Sequence, residues 1–167
     1  MQKITPFLWF DTQAEEAAKF YVSIFSSRGK NSKVGGITRY DEAGAQASGM
    51  PKGSAMTVSF QLEDQDFTAI NGGPHFKFTE AISFVVNCES QEEVDHYWTR
   101  LSEGGDEKAQ QCGWLKDKFG MSWQVVPTIL IRLLQDKDAD KSKRVMQAML
   151  QMKKMDIEGL KKASAGK

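Results

Sequence analysis

The run ITPFLWF at residues 4–10 leads into TQAE at 12–15, and the run AISFVVNC at 81–88 leads into SQEE at 90–93. Each pair joins a short apolar, aromatic-rich run with strand character to a Ser/Thr-x-x-Glu capping box that begins an amphipathic helix. The two boxes lie about 78 residues apart, which is too long for a solenoid repeat and fits a duplicated half-domain. A duplicated module suggests a cleft between its copies and therefore a small-molecule site.

The first copy is predicted to have the order β-α-β-β-β. Clean alternation of apolar and polar residues over 54–62 is typical of a half-buried strand, and Gly35-Gly36 suggests a bulge in the strand before it. Residues 41–53 contain Gly, Ala, Ser and Pro without periodicity and are predicted to be a loop of the length that often forms the lid or rim of a site. The predicted elements are a helix from Thr12 to about Phe25, a turn at 26–33, and strands at 34–40, 54–62 and 67–71.

The second copy is predicted to repeat this order. Gly104-Gly105 ends its helix in the manner of a C-cap, and Asp117 is expected to form a turn through hydrogen bonds to the backbone. The predicted elements are a strand at 81–88, a helix from Gln91 to about Ser102, and strands at 109–112, 114–116 and 122–126.

The tail beyond Pro127 is helical in pattern and belongs to neither copy. Asp156 is expected to cap its last turn. The tail also carries an apolar, methionine-rich stripe, which is either adaptable core or an oligomer contact. The stripe consists of Val145, Ala148, Met149, Met152 and Met155. We therefore divide the chain into residues 1–127, with modules at 3–72 and 80–127, and a helical extension at 128–167.

Composition limits the classes of function. The 167 residues include 22 basic and 22 acidic side chains, so no positive excess favours a nucleic-acid partner. No apolar run reaches the roughly 18 residues that a membrane span needs, and the N-terminus has no signal-peptide pattern, so we expect a cytoplasmic protein. Cys88 and Cys112 fit no zinc spacing and are expected to be structural thiols.

Four stretches resemble one known family: Ile4–Asp11, Phe67–Phe76, Ala81–Asn87 and Gly113–Gln124. They are similar to the PhnB-like subgroup of the vicinal oxygen chelate superfamily, also called the glyoxalase/bleomycin-resistance/dioxygenase fold. Members of this subgroup often carry the label 3-demethylubiquinone-9 3-methyltransferase. The resemblance implies an α+β fold in which two tandem βαβββ modules form a pair of curled, mixed half-barrel sheets around a pocket. It also implies a homodimer.

In catalytic members of that superfamily a divalent metal is held by side chains from the first and last strands of each module. The corresponding positions here are Ile4 or Pro6, Ala81 or Ser83, Asn71, and Gln124. Aliphatic side chains cannot ligate, and neutral amides are weak ligands beside carboxylate or imidazole. The resemblance therefore supplies the scaffold but not the ligand set. We predict no cofactor, with a divalent metal as the alternative.

The leading hypothesis is a protein that binds a small organic molecule. Asn71 and Gln124 are expected to orient the ligand through amide hydrogen bonds, and Leu8 and Trp114 to supply apolar contact. The predicted pocket residues are Leu8, Asn71, His75, Ser83, Trp114 and Gln124.

Two alternatives stay open from the sequence. One is an enzyme, metal-assisted or using His75 as a general acid/base, that isomerises or cleaves a small oxygenated metabolite. The other is an interaction protein whose tail binds a partner. A methyltransferase activity finds no support, because the first strand leads into its helix through residues 11–14 without the glycine-rich turn of a doubly wound nucleotide site.

Overall fold

The computed structural model of the chain describes residues 2–28 and 31–167. It divides into two compact units, Met1–Phe78 and Thr79–Lys167. The turn predicted at 26–33 lies partly outside the described residues, as does Met1. Both units combine helices with a mixed sheet, so the predicted α+β class is confirmed.

The first unit contains a four-stranded sheet in the order β1-β4-β3-β2. Strand β1 runs parallel to β4, and the other neighbours are antiparallel. The β-α-β-β-β order predicted for the first copy is confirmed, with one further helix inserted. Its elements are β1 Phe7–Phe10, α1 Ala14–Phe25, β2 Lys33–Arg39, α2 Glu42–Ser48, β3 Ala55–Leu62 and β4 Gln65–Asn71.

Helix α1 covers one face of this sheet. Its apolar stripe recurs at helical spacing, and Ala17, Tyr21 and Ile24 are fully buried against the sheet. On the sheet the buried residues alternate, as Val58, Phe60 and Leu62 do along β3, because successive strand side chains point to opposite faces. The intervening side chains therefore lie on a second face that α1 does not cover.

The first predicted capping box is wrong. The N-cap of α1 is Gln13, and no side chain of its own segment caps the helix. Instead Asn71, at the end of β4, accepts a hydrogen bond of 2.7 Å from the backbone N–H of Ala14. Asn71, from a strand of the sheet, therefore takes the capping role that the sequence assigns to Thr12. The second box is confirmed, because Ser90 Oγ accepts from the N–H of Glu93.

The predicted loop at 41–53 is also wrong in part, because it contains helix α2. Asp41 Oδ1 accepts from the N–H of Gly44 at the start of this helix, and Gly49 ends it with a positive φ of 75°. Both cap signals are present in the sequence. The predicted bulge in β2 is confirmed, because the β2–β3 register shifts between Val34 and Ile37.

The second unit contains a three-stranded sheet in the order β5-β7-β6, with β5 parallel to β7 and β6 antiparallel to it. Helix α3 begins and ends where the sequence predicts. Neither sheet in the described residues closes on itself into a barrel. The elements are β5 Ser83–Cys88, α3 Gln91–Ser102, a 3-10 helix Glu107–Ala109, β6 Trp114–Lys116, β7 Ser122–Pro127, α4 Thr128–Leu134, α5 Ala139–Leu150 and α6 Ile157–Ala165.

The strand predicted at 109–112 is wrong. This segment makes only an isolated bridge between Gln111 and Trp114. The N–H groups of Cys112 and Gly113 donate instead to the carbonyls of Met152 and Lys153, each at 2.8 Å. Because the tail takes these donors, the second module has one strand fewer than the first.

The tail is helical, as predicted, and packs within the second unit. Val145, Met155 and Leu160 are fully buried there. The Gln91 side chain donates to the Met155 carbonyl at 3.0 Å and accepts from the Ile157 N–H at 2.9 Å. Part of the methionine-rich stripe is therefore core of this unit. The predicted Asp156 cap is confirmed by its bond to the N–H of Glu158. Over the described residues, every helix is too short or too polar to cross a membrane.

Candidate functional site

The uncovered face of the first sheet carries a groove. Its volume is about 390 Å³, which falls within the range of small-molecule pockets, about 300–1,000 Å³. Most of its exposed surface is apolar, and polar side chains from β2, β3, β4 and the segment before β1 are placed along it. The lining residues are Thr5, Lys33, Gly35, Ser59, Phe60, Gln61, Asp66, Phe67 and Thr68.

Strand register arranges the groove in rows. Lys33 pairs with Gln61, and Gln61 pairs with Asp66, so three polar side chains cross the sheet side by side. The Gln61 amide donates to Asp66 Oδ1 at 3.0 Å. In the next row Ser59 lies opposite Thr68. The groove therefore has a charged row near the β3–β4 turn and a hydroxyl row behind it.

Gly35 leaves the space above the hydroxyl row open. A Cβ atom at this position would lie 2.5 Å from Ser59 Oγ, closer than side-chain atoms approach each other. The β2 bulge brings the glycine backbone down over β3 at this point. No side chain could stand here unless the local structure shifted, and the groove keeps its depth for that reason.

Several polar groups of the groove have no partner within residues 2–28 and 31–167. No ion pair or hydrogen bond engages the Lys33 ammonium, and the hydroxyls of Thr5 and Thr68 are likewise without a hydrogen bond. Lys33 is exposed, whereas the two threonines are half-buried. A cation and hydroxyl donors are thus available to a ligand from one concave surface.

Two of the residues predicted for the pocket lie elsewhere in the first unit. Leu8 and Asn71 are buried on the side of the sheet that α1 covers, and Asn71 is only 5% exposed. The Asn71 amide accepts from Ala14 N and donates to the Ala55 carbonyl at 3.1 Å. Both ends of this amide hold the fold together.

His75 is exposed in the segment that follows β4. This segment is held by Trp9, whose indole N–H donates to the Gly73 carbonyl at 2.9 Å, and whose ring meets Phe76 edge-on at 4.9 Å. Gly72 lies directly against the indole, where a Cβ would be 2.1 Å from a ring carbon. His75 does not line the groove of the first sheet.

The other three predicted pocket residues come together in the second unit. Gln124 pairs across the sheet with Trp114, and its amide donates to Ser83 Oγ at 2.9 Å. All three are half-buried on the face opposite the buried Trp123 and Val125. Ser122 shares that face, and its hydroxyl is buried with no hydrogen-bond partner in the described part of the chain. A buried hydroxyl of this kind is costly unless a water or ligand satisfies it.

The metal implied by the family resemblance does not fit these residues. Asn71 Oδ1 already accepts from the N–H of Ala14 and is a neutral amide oxygen, and the side chains of Ile4 and Ala81 have no ligating atom. Gln124 supplies one neutral amide. Among the residues that the structure describes, no three His, Cys, Asp or Glu side chains gather in a group able to hold a metal ion.

The cysteines do not form an activated nucleophile in this structure. Burial raises the pKa of the Cys88 thiol to about 12, and the carboxylates of Glu93 and Glu89 push it in the same direction. The thiolate is the reactive form, so Cys88 is inert near neutral pH. Cys112 is partly exposed and also free.

Sequence reasoning missed the groove residues. The alternation over 54–62 placed Ser59 and Gln61 on the polar face of a strand, and Gly35-Gly36 was recognised as a bulge. Those signals identify a polar face. They do not reveal that the bulge opens a depression above it, because that depends on the pairing of three strands.

The chain has the vicinal oxygen chelate fold: each of its two units combines helices with a mixed sheet, and the first sheet carries a helix on one face and a groove on the other. The chain belongs to the 3-demethylubiquinone-9 3-methyltransferase family, the PhnB-like group, whose sequence model matches residues 2–126. The family predicted from the sequence is confirmed.

Solved structures support this assignment. The chain is similar to a putative 3-demethylubiquinone-9 3-methyltransferase, the PhnB protein of Bacillus cereus, at 36% identity and a TM-score of 0.64, over 76% of this chain and 100% of that one. The fosfomycin resistance protein FosX of Listeria monocytogenes is 13% identical with a TM-score of 0.54, over 81% and 98% of the two chains. FosX of Mesorhizobium loti is 12% identical with a TM-score of 0.53, over 81% and 100%. The FosX likenesses show the fold alone. No curated protein matches the chain.

Proposed function

We propose that this chain is a small-molecule-binding protein whose ligand occupies the groove on the uncovered face of the first sheet. One observation carries the proposal: the groove has the volume of a ligand pocket and is lined by a cation and hydroxyls that the described chain leaves without partners. Polar groups placed in a concave surface fix the orientation of a ligand.

We propose a second contact surface at Ser83, Trp114 and Gln124. Gln124 uses its amide nitrogen on Ser83, which leaves its oxygen available to accept a hydrogen bond. Trp114 beside it supplies an apolar surface. A small oxygenated molecule matches this set. The FosX proteins are named for resistance to fosfomycin, but at their low identity we take no substrate from them.

Methyl transfer, which the family name describes, has no support in these residues. The turn between β1 and α1 contains no glycine that would let a backbone approach a cofactor. Gly72 and Gly73 are packed against Trp9 and lead into a turn at residues 74–75, so no helix N-terminus follows them to hold an anionic group. We therefore propose binding without a methyl donor, and a homodimer remains a prediction.

Native mass spectrometry of the untagged protein tests the proposal. We expect the wild-type chain to carry a small-molecule adduct after incubation with a cell extract depleted of protein. Ser59→Tyr, which fills the groove, is expected to lose it. Thr57→Tyr, two residues along the same face and outside the groove lining, is expected to keep it. An adduct retained by Ser59→Tyr, or no adduct on any of the three proteins, would refute the proposed site.

A further inference from the structure

We infer that the groove of the first sheet selects a small zwitterion, a molecule with an ammonium group at one end and a carboxylate or similar anion at the other. This inference rests on the proposed function and names the class of its ligand. The observation behind it is the position of one cation and one carboxylate, Lys33 and Asp66, at opposite ends of the same row of side chains.

The spacing of the two charges suits one small molecule. Lys33 lies on β2 and Asp66 on β4, with β3 between them. Because neighbouring strands lie about 4.8 Å apart, the two Cα atoms are separated by roughly 10 Å. The flexible four-carbon stem of lysine can shorten the gap between the charges. A ligand with a few atoms between its own charged groups fits between them.

The two groove charges do not neutralise each other. Asp66 accepts from the Gln61 amide, and Lys33 makes no ion pair within residues 2–28 and 31–167. Gln61 stands between them and separates them by its neutral amide. An anionic ligand would be attracted by Lys33 but repelled by Asp66. A cationic ligand would be attracted by Asp66 but repelled by Lys33. A zwitterion satisfies both ends.

The middle of the groove is neutral. Thr68 and Ser59 offer hydroxyls, and Gly35 leaves room above Ser59 for the body of the ligand. No further charged side chain lines the described groove. The ligand therefore needs charge at its ends and none along its body, which describes a short linear amino-carboxylate better than a sugar phosphate or a polyamine.

Three probes that share a linear four-carbon chain and differ in their charged ends test this inference: γ-aminobutyrate, butyrate and butylamine. We expect titration followed by NMR to show the wild-type protein binding γ-aminobutyrate more tightly than either singly charged probe. Lys33→Met should weaken γ-aminobutyrate about fivefold, the value of one exposed ion pair, and should strengthen butylamine. Asp66→Asn should likewise weaken γ-aminobutyrate and strengthen butyrate. Lys77→Met, which removes an exposed lysine outside the groove, should reproduce the wild type.

The decisive result is a change in the order of affinity for the three probes between the wild type and the two charge variants. An unchanged order of the three probes in Lys33→Met and Asp66→Asn would overturn the zwitterion inference, as would no preference for γ-aminobutyrate in the wild type. If all probes bind without regard to charge but Ser59→Tyr abolishes them, the groove is a ligand site of another class and the proposed function stands. If Ser59→Tyr binds every probe as the wild type does, both proposals fail.

Discussion

The side-chain amide of Asn71, at the end of β4, accepts a hydrogen bond of 2.7 Å from the backbone N–H of Ala14, the first residue of α1. The same amide donates to the carbonyl of Ala55 on β3. One buried side chain thus joins a helix start to two strands. Both polar atoms of the Asn71 amide therefore hold the fold together.

Replacement of Asn71 by alanine should destabilise the protein by about 2–3 kcal/mol, because it removes a helix cap and leaves the N–H of Ala14 unsatisfied in a buried position. Urea unfolding followed by circular dichroism measures this change. Asn87→Ala is the matched control, since Asn87 is exposed, and it should cost less than about 0.5 kcal/mol. Equal stability of the two variants would show that the Asn71 bonds contribute nothing.

Gly72 should not tolerate a methyl group. A Cβ there would meet the Trp9 ring at 2.1 Å, so the indole must move and its bond to Gly73 must weaken. We expect Gly72→Ala to cost about 1–3 kcal/mol in urea unfolding, the usual range for overpacking. Gly36→Ala, whose Cβ would have only an ordinary contact of 3.9 Å with Ser59 Oγ, should be nearly neutral. The reverse order would contradict the packing described.

Met155 should behave as a core residue although it lies in the tail. It is fully buried, and its side chain packs on Gly113. Met155→Ala should cost about 2–5 kcal/mol because it opens a cavity, whereas Met146→Ala, at a residue 41% exposed, should cost little. Differential scanning calorimetry of the two variants separates these expectations. Unchanged stability of Met155→Ala would indicate that the tail is not part of the second unit.

Cys88 should make stability depend on alkaline pH. Its pKa is raised to about 12 in the folded protein, from an ordinary value of 9.0, because burial disfavours the thiolate. The unfolded chain therefore loses this proton first as the pH rises. The Cys88 contribution is intact below about pH 9 and is lost progressively between pH 9 and 12.

The Cys88→Ala variant isolates this effect. Its free energy of unfolding should fall less steeply than that of the wild type between pH 9 and pH 11. Thiol labelling at neutral pH gives a second measurement, in which the partly exposed Cys112 should react in the folded state and the buried Cys88 only after unfolding. Parallel slopes for the wild type and Cys88→Ala would show that Cys88 is not protected by burial.

The sequence predicts correctly those elements whose structure is decided by interactions between neighbouring residues. The Ser90 box and helix α3 follow from neighbouring residues, and both are confirmed. The Thr12 box fails because Asn71, distant in sequence, supplies a better placed acceptor. The strand at 109–112 fails because the tail takes the N–H groups of Cys112 and Gly113. Neither Asn71 nor the tail carbonyls can be predicted from the sequence of the segment whose structure they change.

The candidate site divides in the same way. Ser83, Trp114 and Gln124 lie on one face of the second sheet, as strand alternation places them. Whether they contact a ligand stays a prediction, as it does for His75. The groove at Lys33, Ser59 and Asp66 needed the pairing of three strands and the Gly35 bulge, which the sequence only hints at.

Amide chemical-shift mapping with a library of small polar fragments tests the central claim most directly. We predict that the fragments that bind will shift the backbone amides of Gly35, Ser59, Gln61 and Thr68, and that Ser59→Tyr will abolish these shifts while Thr57→Tyr retains them. Binding fragments that leave those four amides unmoved, or that perturb them equally in the Ser59→Tyr protein, would contradict a ligand site on the uncovered face of the first sheet.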